Sequence, residues 1–271
     1  MQFTAFGRTD VGYKRTSNQD AIFADDSLGL YIVCDGMGGY KGGEIASSLA
    51  IEAVVTYVRD HRKELNLMTF SGTTAKWLPM FVADAIKLAN FEICFRAYRK
   101  PALEKMGSTI SMIMVHDDVV VIGHCGDSRA YRIDESLALL TSDHTMGAEM
   151  REHGWEESDC QRYDNVLTQV LGRAQFDEPD LITIAAEPGM KFLLCSDGLS
   201  PFLDGPEVAN VLQASDRKAM VDGLVDLALT GGGPDNISAI VVEVGSAVAE
   251  GTLQIPTSVK AIALRPSHAL H

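Results

Sequence analysis

The sequence predicts an α+β fold, with helices packed on largely antiparallel sheets. Two observations point to that class. Short apolar runs rich in Val and Ile recur at 30–34, 109–115, 119–125, 192–195 and 237–244, the mark of strands. Two helical stretches lie side by side after the first run, which breaks the strict strand–helix alternation of a parallel sheet.

The first run, "LYIVC", ends on Asp35 and is followed by Gly36, Gly38 and Gly39. Ile51, Val54, Val55 and Val58 then recur at i, i+3, i+4 and i+7, one face of a helix from about Gly43 to Arg62. Val82, Ile86, Ala89 and Ile93 repeat the pattern in a second helix starting near Pro79, since proline suits a first turn. The "HDD" at 116–118 joins two apolar runs as a hairpin turn. The segment of about 141–172 is polar and irregular, as expected of a surface flap. A third helix runs over about 216–230, from near Ser215 to the "GGG" stop. The run "SAIVVEV" alternates only in part, as a strand covered on both faces does. Beyond Val244 the strand rhythm is lost, so the expected organisation is one domain over 1–245 and a tail over 246–271.

The chain has 271 residues, 46% of them hydrophobic and 22% charged, which is globular composition. No apolar stretch approaches the ~20 residues that span a bilayer, and "MQFTAFGRTD" lacks the features of a signal peptide. The expected location is the cytoplasm. A net charge of −14 excludes nucleic acid and anionic membrane as expected partners and suits divalent cations. The five cysteines are odd in number and contain no C-x-x-C pair, so they indicate neither a disulfide framework nor a zinc site. Cys34, Cys125 and Cys195 read as packed thiols in strands.

The acid at the end of "LYIVC" poses the functional question. A buried lone carboxylate is costly unless it is paired or binds a metal, and glycines let the backbone approach what it holds. An Asp-Gly turn is the plain alternative. However, the arrangement recurs. Asp127 follows "VVVIGHCG", Asp197 follows "KFLLCS", and Asp235 precedes the last strand in "GGGPDNIS". Four acids at strand edges beside Gly or Asn make turns alone the weaker reading. Mg²⁺ and Mn²⁺ prefer such oxygen ligands, and two ions ~4 Å apart can activate a water and clamp a phosphoryl group. A calcium loop of the D-x-D-x-D-G kind is absent from the sequence.

The order of motifs resembles the metal-dependent type 2C (PPM) protein Ser/Thr phosphatases in their compact bacterial form. The matching stretches are "RTDVGYKRTSNQD", "DGMGGYKGGEIAS", "GSTISMIMV", "GHCGDSRAYRI", "LTSDHT", "NVLTQVLG", "EPDL", "LLCSDGLSPFL" and "GGPDNISAIVV", in family order from Arg8 to about Val244. The resemblance implies a four-layer α-β-β-α sandwich of two mainly antiparallel sheets flanked by helices, with a metal centre at one end.

It also implies the site. Asp35 would bridge two metals, with the Gly36 carbonyl, Asp197 and Asp235 as further ligands. Asp127 would help hold a third, weaker ion, and Asp20 would orient metal-bound waters from the outer shell. Arg15 would grip the substrate phosphate with its planar fork. The cofactors implied are two or three Mn²⁺ or Mg²⁺ ions, and a metal-bridging water would attack phosphoserine or phosphothreonine directly. The sequence has neither a G-x-S-x-G elbow nor a C-x5-R loop, so Ser128, Cys34 and Cys195 are poor nucleophiles. His144, in "SDHT", is a structural or proton-handling candidate. Gln19 stands where the family usually has Glu, and Met37 where some eukaryotic members have His. Phosphorylated proteins are the expected partners, including a Ser/Thr kinase or its substrates, and the protein is expected to be a monomer. The alternatives are a weakly active phosphoprotein-binding adaptor, which Gln19 supports, and a hydrolase of small phosphate esters.

Overall fold

In the computed structural model, which describes residues 1–39, 41–69, 73–214 and 216–245, the apolar runs form the middle strands of two sheets. In chain order the elements are β1 (Gln2–Asp10), β2 (Asp20–Asp25), β3 (Leu30–Met37), α1 (Gly42–Asp60), α2 (Arg62–Thr69) and α3 (Thr74–Arg99). Next come β4 (Gly107–Ser108), β5 (Ile110–His116), β6 (Val119–Cys125), β7 (Arg129–Ile133) and β8 (Leu137–Leu139). The remainder are α4 (Met146–Glu152), α5 (Glu157–Cys160), β9 (Asp180–Ala185), β10 (Lys191–Cys195), α6 (Pro206–Leu212), α7 (Arg217–Thr230) and β11 (Ile237–Gly245).

One sheet has the order β1-β11-β10-β7-β8 and the other β2-β3-β5-β6-β9, with β4 paired to β3. Neighbouring strands pair antiparallel throughout both paths. The α+β, four-layer expectation therefore holds, and the period of two in each strand explains how. In β3, Leu30, Ile32 and Cys34 pack toward α1 and α3, while Tyr31 and Val33 fill the space between the sheets. In β11, Ile237, Ala239 and Val241 face α7, and Ile240 and Val242 face the other sheet. The partial alternation of "SAIVVEV" thus reflects two buried faces.

Some boundaries differ from the sequence reading. The second helix begins at Thr74, so Pro79 sits inside its first turns instead of at its start. A proline this close to the N-terminus forfeits a single backbone bond, which the surrounding packing offsets. The first helix ends at Asp60, and α2 starts at Arg62. The third helix is capped by Asp216, whose side chain accepts from the Ala219 N–H at 2.8 Å. Ser215 lies outside the described residues, as does the tail at 246–271. Asp117 takes φ 58° in the β5–β6 hairpin, a conformation Asp tolerates.

The flap is more ordered than its composition suggests. It holds α4 and α5; a bridge between Thr145 and Leu167 joins its two arms to each other, and a bridge between Leu171 and Ser108 ties its exit to the scaffold. Arg151 braces it internally with paired bonds to Glu157 (2.8 Å) and Asp164 (2.7 Å). Among the described residues no helix is long and apolar enough to cross a membrane.

Candidate metal centre

Strand parity carries the acids to one place. Asp35 shares the face of Tyr31 and Val33, so at the end of β3 it points into the gap between the sheets. Asp20 is its direct partner across the β2–β3 pair. Asp197 follows β10 and Asp235 precedes β11 in the opposite sheet, while Asp127 follows β6. Asp20, Asp35, Asp127, Asp197 and Asp235 therefore gather at one end of the sandwich.

Their electrostatics is that of a crowded acid cluster whose mutual repulsion Arg15 and Arg129 offset only in part. Burial, then the charges of Asp20 and Asp197, pushes the Asp35 carboxyl well above its usual range. The Asp35 and Asp197 carboxyls lie close enough to perturb each other, and burial raises Asp197 as well. Burial lifts Asp127 to about 7, assisted by Asp197 and Asp143. Burial also lifts Asp20 to about 7, against hydrogen bonds from Ser238 and Ser196. Those two hydroxyls, both from the opposite sheet, donate to Asp20 Oδ2 at 2.7 Å. Asp20 Oδ1 and Asp197 Oδ1 are buried with no hydrogen-bond partner.

Orphaned carboxylate oxygens in a self-repelling cluster are the expected state of a cation site without its cation. The donor set is entirely oxygen, which suits a hard divalent ion. Among the described residues no three Asp, Glu, His or Cys side chains close into a cage.

Arg15 is half exposed, and its Nη2 donates to Asp235 Oδ2 at 2.6 Å. The residue expected to grip phosphate and a candidate metal ligand are thus paired with each other. Gly36 is glycine for a packing reason. A Cβ there would lie 2.1 Å from the Gly43 carbonyl oxygen, so β3 and the start of α1 touch backbone to backbone. Gln19 Nε2 donates to the Gly39 carbonyl at 3.2 Å. It therefore braces the glycine loop, a contact that a glutamate could not make.

Several supporting residues carried no signal of their own in the sequence. The Asp35 N–H donates to Thr109 Oγ1 (2.9 Å), which meets Ser128 Oγ (2.7 Å), and Ser108 Oγ donates to the Asp35 carbonyl (3.0 Å). Asn236 fastens the 11–19 loop beside Asp235: its amide donates to the carbonyls of Val11 and Ser17, and its Oδ1 accepts from the Gln19 N–H. His144 is a satisfied structural residue. Its Nδ1 accepts from the Gly126 N–H, its own N–H donates to the Gly126 carbonyl, and Nε2 faces Asp180. Cys34, Cys125 and Cys195 are fully buried free thiols, and burial pushes each upward, Cys195 to about 12. They are packing groups, and Ser128 is likewise occupied by Thr109.

Residues 12–228 match the family model described as protein phosphatase 2C. The serine/threonine protein phosphatase PstP of Mycobacterium tuberculosis is 32% identical over 241 residues, which cover 88% of this chain and 44% of PstP. Protein phosphatase PhpP of Streptococcus pneumoniae is 31% identical over 251 residues, 89% of this chain and 98% of PhpP. The chain therefore spans less than half of PstP and nearly all of PhpP. The crystal structure of the PstP catalytic domain in complex with two manganese ions superposes with a TM-score of 0.78 at 29% identity, covering 90% of this chain and 99% of that one.

Proposed function

The chain belongs to the protein phosphatase 2C family, and from that premise we propose that it is a Mn²⁺- or Mg²⁺-dependent phosphatase of phosphoserine and phosphothreonine in proteins. The observation that carries the reading is the carboxylate cluster between the sheets, with two orphaned oxygens and the Arg15 guanidinium at its mouth.

Asp35, the Gly36 carbonyl, Asp197 and Asp235 would hold the first two ions, and Asp127 would contribute to a further one. Asp20, fixed by Ser196 and Ser238, accepts from water in the outer shell. When bound, the ions supply Lewis acidity toward phosphate and lower the pKa of water. Arg15 turns from Asp235 to two phosphate oxygens when both phosphate and metal are present, since its half-exposed side chain can move and a guanidinium matches phosphate bidentately. The PstP neighbour with two manganese ions supports this choice of cofactor. Phosphorylated proteins are the substrates, among them a Ser/Thr kinase or its targets.

Asp35→Asn is the direct test. Mn²⁺-dependent hydrolysis of p-nitrophenyl phosphate and of a phosphothreonine peptide should vanish while circular dichroism remains native. Near wild-type turnover in that variant refutes the assignment.

A further inference from the structure

The helix α3 spans the sandwich from the β5–β6 turn, where Thr74 Oγ1 donates to Asp117 Oδ2, to the catalytic end. There the chain continues through Lys105 and Met106, which pack on Gly38 so closely that a Cβ at Gly38 would lie 2.6 Å from the Met106 Cα. The segment that leaves α3 therefore adjoins the glycine loop that follows Asp35.

The last turns of α3 are apolar on the side away from the core. Phe91, Phe95 and Tyr98 recur at i, i+4 and i+7, and Phe91 is 58% and Tyr98 86% exposed. The rings of Phe91 and Phe95 stack with centroids 6.0 Å apart, and the Arg99 guanidinium lies over Phe95 at 5.6 Å. Arg96 and Lys100 stand on the same turns. Arg173 joins them from the flap's exit, its backbone pinned to the Asn90 side chain.

Most arginines elsewhere in this acidic protein are neutralised: Arg8, Arg15, Arg59, Arg129, Arg132 and Arg151 pair with carboxylates, while Arg62 donates to the Ser27 carbonyl. Among the described residues, Arg96, Arg99, Lys100 and Arg173 make no ion pair, and Glu92 is the one acid within the last three turns of α3. In a protein of net charge −14, three such cations on successive turns beside exposed aromatic rings are a local concentration of positive charge that solubility does not require.

We propose that the aromatic and basic face formed by the end of α3 and Arg173 docks an acidic polypeptide segment flanking the phosphorylated residue of the substrate. The proposal rests on the phosphatase reading and specifies the substrate class it favours: phosphosites beside Asp- or Glu-rich sequence carrying apolar side chains. Cations here complement an acidic chain and steer it toward a mouth whose own acids would otherwise repel it. The aromatic rings supply the apolar anchors of such a contact. An anionic membrane is the less favoured occupant, because the strongly acidic remainder of the molecule would face the same surface.

The experiment compares wild type with a triple charge reversal, Arg96→Glu, Arg99→Glu and Lys100→Glu, and separately with Phe95→Ala/Tyr98→Ala. Two phosphothreonine peptides of equal length are used, one with four flanking glutamates and a leucine, the other with serines in their place. Wild type should show kcat/KM about tenfold higher on the acidic peptide, within the range of electrostatic steering, and added salt should erase the preference. Both variants should lose it while p-nitrophenyl phosphate hydrolysis is unchanged. Fluorescence anisotropy with the unphosphorylated acidic peptide gives a second readout that requires no turnover: wild type should bind it and the charge-reversed protein should not. A protein that binds this peptide without hydrolysing either ester keeps the surface and overturns the phosphatase reading. Equal use of the two peptides by wild type, or an acidic preference that survives charge reversal, overturns the docking surface. So does binding to phosphatidylglycerol vesicles in place of the peptide.

Discussion

Asp20 makes the metal-free protein a sensor of its own electrostatic stress. Its carboxyl is buried, accepts two serine hydroxyls at Oδ2, and leaves Oδ1 without a partner. Burial raises it from an ordinary 3.8 to about 7. An acid whose folded value lies above its unfolded value binds more protons folded than unfolded across that interval. Stability without metal is therefore greatest below about pH 4 as far as this group is concerned, and it falls as pH rises toward 7. At about 1.4 kcal/mol per pH unit, the interval corresponds to about 4 kcal/mol by pH 8, as an order of magnitude. That is a large share of a typical ~5–15 kcal/mol fold. For a chain of this size it corresponds to roughly 10 °C in Tm. Asp127, lifted to about 7 mainly by burial, acts in the same direction. The assay is thermal unfolding in EDTA at pH 5 and pH 8, with and without added Mn²⁺. Tm should fall between the two pH values in EDTA, Mn²⁺ should restore it at pH 8, and Asp20→Asn should flatten the EDTA profile. A Tm in EDTA that is flat from pH 5 to 8 in the wild type would show that the acids are not crowded as described, and the argument would fail.

Arg15→Ala should raise KM for a phosphopeptide by ~10–100-fold, the worth of a charge-assisted bidentate contact. The same change should tighten Mn²⁺ binding in calorimetry, because Asp235 loses its competing partner; an unchanged KM removes Arg15 from the phosphate. Gln19→Glu loses the donor to the Gly39 carbonyl and adds a negative charge near the acids. It should lower Tm in EDTA by a few degrees and lower the Mn²⁺ concentration for half-maximal activity, by ~10-fold or more if its influence is of the usual outer-shell size. Identical metal titrations would mean that the residue braces the loop and nothing else. Exchanging the flap for that of a relative should change phosphopeptide preference and spare small-ester hydrolysis; equal loss of both would tie the flap to the chemistry.

What the sequence determined by itself was the set of central strands and the acids at their ends. Each run read as a strand, at 30–34, 109–115, 119–125, 192–195 and 237–244, became an interior member of its sheet: β3, β5, β6, β10 and β11. Such strands are covered on both faces, and double burial is what writes a continuous apolar run. Of the strands that went unread, β1, β2, β8 and β9 are the sheet edges, the short β7 lies next to an edge, and the two-residue β4 pairs with β3 off the main path. In β9 solvent wets alternate positions, so its "DLITIA" carries too weak a signal to stand out.

The acids were legible because a carboxylate ending a buried strand is anomalous wherever the strand goes. Their mutual arrangement was not legible. It was decided by packing one sheet on the other, which sets Ser238 against Asp20 across 218 positions of sequence and Asp235 against Arg15 across 220. Sequence periodicity assigns a side chain to a face, whereas only the docking of the two faces decides which charges share the gap between them, and hence which carboxyls are lifted toward neutrality.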